Sequence, residues 1–528
     1  MKSYYQHLKS TKEFGEKETL IKKPVLHSSA IFPVIQNQHY TSSIHFLGYW
    51  LLKRNISEVN LTITLRNANG GIILKKRDII NTAKAFAINL NTLLSEINFI
   101  KDVNFTGSIE VEFHTAQDMV FPYPALVLEF HNEEFNTCVH TLGRVYNDSE
   151  DMNENLVPET GFDIHETSDL HSFLSFVNGS LQNEDGYIEY TITNSNSKQF
   201  SGNFHLGKIN PFETKFLYLN DYIPELSKIL KSNSGSISIK HNFEGFYPRF
   251  LVGNIQESFP SVSFTHSYYD CTSSSDESDY WNRINDAHFD SSIYVPIFEK
   301  NDQFTNLIIY PNLSPSDLVL KIDIYNEFRE KIYENSNFLT IHSNEKKLLK
   351  INLNDLISDL DSSKSKNFAA HIITNFKNNK IPTRIKFGLD VGTTGLNSKL
   401  PCNICFNMRL GNPLLENKPG SFHWAPLFNN RNTIFTLGNF STLKNYKSDA
   451  NLELNFYRIE DSNSFNKKIK LKANSEKRIS FNDFQLNEFI KSDQIIIRIH
   501  DNSIFIKELI INRSMRNYFL RCSNSWIC

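Results

Sequence analysis

No run of apolar residues along these 528 positions approaches the roughly 18 that a membrane-spanning helix needs. Cysteine is scarce, at 6, which excludes a dense disulfide framework and makes a reducing compartment the default expectation. The opening stretch, MKSYYQHLKSTKEFGEKETLIKKP, contains no apolar segment of the kind a secretory signal carries. A cytoplasmic location is therefore expected, with signal-independent export left open. Neither sign of charge dominates. The 55 Lys and Arg stand against 58 Asp and Glu, for a net charge of −3, so the electrostatic signature of a nucleic-acid binder is missing. Also missing are a phosphate-cradling GxxxxGKS/T loop, a GxSxG elbow, an HExxH helix and a dinucleotide-binding glycine fingerprint. No cofactor is expected on these grounds, and no diagnostic catalytic motif is present.

What the chain does have is aromatic residues, at 13%, including 42 Phe and 21 Tyr. With many Ile, Val and Thr they favour strands over helices. Apolar residues alternate with polar ones through 59–66, where Val59, Leu61, Ile63 and Leu65 share one face. The same alternation recurs at 107–114, 187–193, 235–243, 318–325 and 452–457. Between the alternating stretches a short motif returns, written KINLNDL at 350–356. Its asparagines are Asn91, Asn220, Asn354 and Asn482, at intervals of 129, 134 and 128 residues. Such even spacing, with flanking strands in the same order, predicts a four-fold internal repeat. The period is far longer than that of solenoid repeats, and each copy is long enough to enclose its own core.

The predicted fold is thus all-β, a tandem array of about four related β-sandwich units. The expected organisation is an N-terminal arm and lead-in over 1–40 and units over 41–148, 171–270, 291–409 and 421–513, with a tail over 514–528. The array resembles immunoglobulin-like sandwich arrays in architecture, with no shared sequence motif. Within the motif, a strand end is followed by residues spaced for a helical turn. The asparagine between them reads as a cap for the free N–H groups of that turn. A residue kept in every copy serves the shared architecture better than it serves a single active site.

Candidate chemistry lies elsewhere. His140 and His266 occupy matching places near the ends of two closing strands, and Asp148 and Asp270 follow them. Histidine with carboxylate is a general-base or metal-binding combination. In the third unit Asn407 takes the equivalent place. A looser set, His114, His241 and His500, follows the motif at similar offsets and reads as strand-end residues or repeated ligand contacts. Trp424 is a candidate interface residue or ligand platform. Cys402 and Cys405, with Cys522 and Cys528, form the one set that could make a four-cysteine zinc site, although the second pair is spaced too widely for a usual knuckle.

These features favour a non-enzymatic binding or structural protein whose ligand is a carbohydrate or another protein. One alternative is an enzyme acting on sugars or glycoconjugates, with a His/Asp site formed between units. The other is an assembly component of a surface structure or virion.

Overall fold

The computed structural model describes residues 24–99, 104–119, 124–133, 135–140, 159–160, 162–243, 250–259, 261–269, 280–282, 286–298, 303–358, 367–382, 385–394, 400–410, 421–428, 434–459, 461, 463–480, 483, 486–489, 494–501, 506–513 and 518–521. Antiparallel strands dominate, as the aromatic and β-branched composition predicts.

The first segment contains β1 (His27–Gln36), β2 (Thr41–Leu47), β3 (Val59–Asn67), β4 (Ile72–Ile80), β5 (Ala85–Asn89), β6 (Phe105–His114), β7 (Val127–His131) and β8 (Asn136–His140). They form two four-stranded sheets, ordered β1-β6-β3-β4 and β5-β2-β7-β8. Period-two alternation sends Ile109, Val111 and Phe113 of β6 into the core, where all three are fully buried. Phe46 of the second sheet meets Phe113 of the first edge-on at 5.5 Å, so the two sheets share one core. Trp50, fully buried, packs on the same phenylalanine. The lead-in, read as separate from the first unit, supplies β1, which pairs with β6 along its whole length.

The same strand order recurs three more times. In the second segment, Gln199–Ile209, Asn183–Asn194 and Ser234–His241 lie side by side, with Asp163–His165 on the far edge. The facing sheet is ordered Thr214–Tyr218, Leu170–Val177, Leu251–Gln256, Ser261–His266. The third segment repeats this with Leu349–Asn352, Gln303–Ile309, Lys386–Thr393 and Cys402–Asn407. The fourth does so with Ser475–Ser480, Ile434–Asn439, Ile506–Arg513 and Tyr518–Arg521, the last falling in the stretch that reads as a tail.

Each described motif copy ends a strand and begins a short turn of helix, but the asparagine does not cap that helix. Asn354 sits inside the turn Leu353–Leu356. Its Nδ2 donates to the carbonyls of Phe298 (2.7 Å) and Gln303 (3.2 Å), and its Oδ1 accepts from the Thr305 N–H at 2.8 Å. The cap is Asn352, whose side chain accepts from the Asn354 N–H at 3.1 Å. Asn91 likewise accepts from the Thr41 hydroxyl at 3.0 Å, and Asn220 lies 3.4 Å from both Glu166 and His171. The helices Leu90–Glu96 and Leu219–Tyr222 have no side-chain cap. Each asparagine thus ties the turn to the second strand of its own segment or to the residues leading into it. Asn482 lies outside the described residues.

The segments close on one another. The four closing strands, Asn136–His140, Ser261–His266, Cys402–Asn407 and Tyr518–Arg521, are neighbours in a circuit: first beside second, second beside third, third beside fourth, fourth beside first. At the first joint the Arg66 guanidinium lies over the Phe212 ring at 4.2 Å, and Phe130 meets Phe264 edge-on at 4.8 Å. Gly70, with φ +86°, carries the β3–β4 turn against the backbone of Pro211 and Phe212, leaving no room for a Cβ. At the third joint Tyr294 stacks on Phe440 at 5.3 Å and donates to the Thr436 hydroxyl at 2.8 Å. Gly438 lies directly beneath that tyrosine ring. At the fourth joint Trp424, Tyr457 and Ile459 pack on the core of the first segment.

Candidate functional site

The closing circuit brings His140 and His266 together. Their Nε2 atoms are 2.9 Å apart and their rings meet edge-on, with centroids 4.5 Å apart. Strand register explains the match. His140 pairs with Val127 and His266 with Leu251, each the first residue of the preceding strand. Asn407 holds the same place opposite Lys386. The His266 Nδ1 lies 2.8 Å from the Ser267 carbonyl, which can only accept, so Nδ1 carries the proton. A neutral His266 then offers its Nε2 lone pair, and His140 donates Nε2–H to it. Asp148 and Asp270, the carboxylates expected beside these histidines, lie outside the described residues.

A second cluster fills the joint between the second and third segments. Lys350, the first residue of KINLNDL, forms an ion pair with Asp390, and its Nζ lies 3.9 Å from Asp163. Asn403 donates through Nδ2 to Asp390 at 2.8 Å and to the Tyr310 hydroxyl at 3.1 Å. Both aspartates are buried, and they share a hydrogen bond. Burial, then the nearby charge of Asp390, pushes the Asp163 carboxyl well above the usual range. Burial acts on Asp390 too, but Lys350 and Asn403 outweigh it and hold that carboxyl low. The shared proton therefore sits on Asp163, and Asp390 carries the charge that answers Lys350. Burial pushes the neighbouring His165 down to about 4, so it is neutral at pH 7.

A third buried group faces out from the first segment's second sheet. The His45 Nε2 is 2.8 Å from Glu129 Oε2, and Asn136 donates to Glu129 Oε1 at 3.0 Å. Both members of the His45–Glu129 pair are buried almost completely. Sequence reading passed over this pair and over the Asp163–Lys350–Asp390 cluster. Polar residues on an otherwise apolar strand were the available signal, but the joints that bury them are long-range.

The other sequence candidates separate. His114 is exposed at the end of β6, beside His27 and Glu112. His241 is buried between Phe243 and Phe250, its Nδ1 accepts from the Phe243 N–H at 3.1 Å, and burial pushes it down to about 4. The residues before them differ in parity: His114 follows the inward-facing Phe113, whereas His241 follows Lys240 and shares the inward face with Ile239. The two histidines therefore occupy opposite faces and do not form an equivalent array. His500 lies in the strand Gln494–Asp501 opposite Phe422 and Glu453. Trp424 is half-buried against the first segment's core. Cys402 pairs with Val391 and Cys405 with Gly388 on one continuous strand, an odd separation that assigns the two positions to opposite faces. Cys522 and Cys528 lie outside the described residues.

No family model matches this chain, and no curated protein matches it. Among solved structures, a biofilm-associated protein BSP domain aligns over 96% of this chain and 99% of that one, at 8% identity and a TM-score of 0.14. A calcium-binding mutant of Bacteroides uniformis beta-glucuronidase 2 aligns over 46% of this chain and 26% of that one, at 9% identity and a TM-score of 0.11. Scores this low carry no argument about fold or activity.

Proposed function

We propose that this chain is a non-catalytic structural or protein-binding scaffold, built from four copies of one immunoglobulin-like sandwich unit docked as a single body. The observation that carries the reading is the closed circuit of closing strands. Trp424, a candidate ligand platform in the sequence, packs on the first core together with Tyr457, and the candidate catalytic residues His140 and His266 meet each other at a joint. Among the described residues the exposed large apolar side chains are Leu26, Ile72, Ile79, Leu181, Tyr218 and Phe328. Two aromatics in that set, far apart in sequence, make a poor platform for sugar rings, so a protein partner suits the surface better than a carbohydrate. The first and fourth units also present a long outer strand, β4 and Ser464–Leu471, with exposed lysines that guard an open edge.

Calorimetry of the wild type and Trp424→Ala tests the single-body reading. The wild type is expected to melt in one transition, and the variant to release an earlier one. Independent melting of the units in the wild type would overturn the reading.

The His140–His266 contact favours a second reading, acid–base chemistry on sugars or glycoconjugates at the junction. Turnover of a glycoside substrate panel that disappears in His140→Ala and His266→Ala would establish it and displace the scaffold reading. No turnover in the wild type would reject it.

A further inference from the structure

The outer face of the first sheet carries a second group of histidines, away from the closing circuit. His27 and His114 lie directly opposite each other across β1 and β6, and Glu112 is two residues from His114 on the same face. Phe113 and Val111 point into the core, so Glu112 and His114 point away from it. The two imidazoles are stacked, with centroids 4.1 Å apart and planes 7° from parallel. The His27 Nε2 lies 3.4 Å from Glu112 Oε1. One ligand atom from each of the three residues lies within 4.8 Å of the other two.

We propose that His27, Glu112 and His114 bind one divalent first-row transition ion of the zinc class. Two imidazoles and one carboxylate are the donor set such ions select, whereas calcium and magnesium favour all-oxygen sites. Ligand atoms around tetrahedral zinc stand roughly 3.3–3.5 Å apart. The present spacing therefore closes onto an ion by side-chain rotation of about an ångström, with no change of backbone. Antiparallel pairing holds both histidines on rigid strands. Asn60 and Thr62 of β3 stand opposite His114 and Glu112 and complete a polar rim. His114 is exposed, so the ion is reached from solvent and keeps open positions for water or a ligand. Lys75 is the cation that bears on both Glu112 and His114, and it opposes metal entry. The carboxylate charge is therefore needed, not merely its oxygen.

The test uses the full chain stripped with chelator, then titrated with zinc by calorimetry and with cobalt by visible absorption. The expected result is one ion per chain, with affinity reduced at least ~10-fold in Glu112→Gln and in His114→Ala. The His140→Ala/His266→Ala double variant is expected to bind as the wild type does. Failure of the wild type to bind either ion overturns the proposal. So does unchanged affinity in Glu112→Gln and His114→Ala, or loss of binding in the double variant alone. Circular dichroism checks each variant's fold. The near-isosteric Glu112→Gln keeps the test decisive if His114→Ala does not fold.

Discussion

Glu129 shows how a single buried side chain is held in its charged form. Burial pushes its carboxyl up, but His131, His45 and Asn136 together outweigh that penalty and hold it below the ordinary value. A carboxyl depressed on folding contributes stability above its unfolded value that fades as pH falls through the folded one. Glu129→Gln is therefore expected to cost about 2 kcal/mol at pH 7, the scale of a hydrogen bond to a charged group. Urea titrations from neutral to acid pH check this. The gap between variant and wild type should shrink below pH 4.5, the ordinary carboxyl value. His241 illustrates the opposite case, a histidine whose burial keeps it neutral.

At the scale of the element, the repeated asparagine is a tether. Asn354 uses both amide N–H groups and its carbonyl oxygen toward one neighbouring strand and the turn before it, through Phe298, Gln303 and Thr305. Its loss would leave buried backbone groups without partners. Asn354→Ala is expected to destabilise by about 1–3 kcal/mol. Asn91→Ala is expected to cost less, since Asn91 is exposed and is bonded to the Thr41 hydroxyl. Parallel chemical denaturation of the two variants would show the ordering, and equal losses would refute it. Strand parity works at the same scale. It separates His114 from His241 and Cys402 from Cys405, although each pair reads as a set along the chain.

For the whole molecule, the joint between the second and third segments contributes its own pH response. Asp163 is raised on folding, so its proton must be taken up, and the stability it allows is present in acid and lost as pH rises. Asp163→Asn removes that penalty. It is expected to leave stability at pH 7 unchanged or increased, with the difference vanishing below the ordinary value of 3.8. Asp390→Asn should do the reverse, because Lys350 loses its counter-charge in a buried joint. Melting temperatures measured across pH distinguish these outcomes. A loss of stability in Asp163→Asn at pH 7 would refute the proton assignment.

The all-β class, the alternating strands and the even spacing of Asn91, Asn220, Asn354 and Asn482 are local properties, and the chain states them directly. Side-chain parity and turn residues act over a few positions, so they are readable without knowing where anything packs. Matching His140 to His266 was also a matter of counting along the chain. That the two touch was decided only by docking, which depends on surfaces far apart in sequence, as does the pairing of Lys350 with Asp390 and Asp163. The asparagine's role followed the same division. Its position in the motif was legible, but whether its amide caps its own helix or ties down a neighbouring strand depends on which groups the fold brings within hydrogen-bonding reach. Burial then set the charges: a carboxyl that would ionise in water keeps its proton at Asp163 because the joint excludes solvent and places a second aspartate against it.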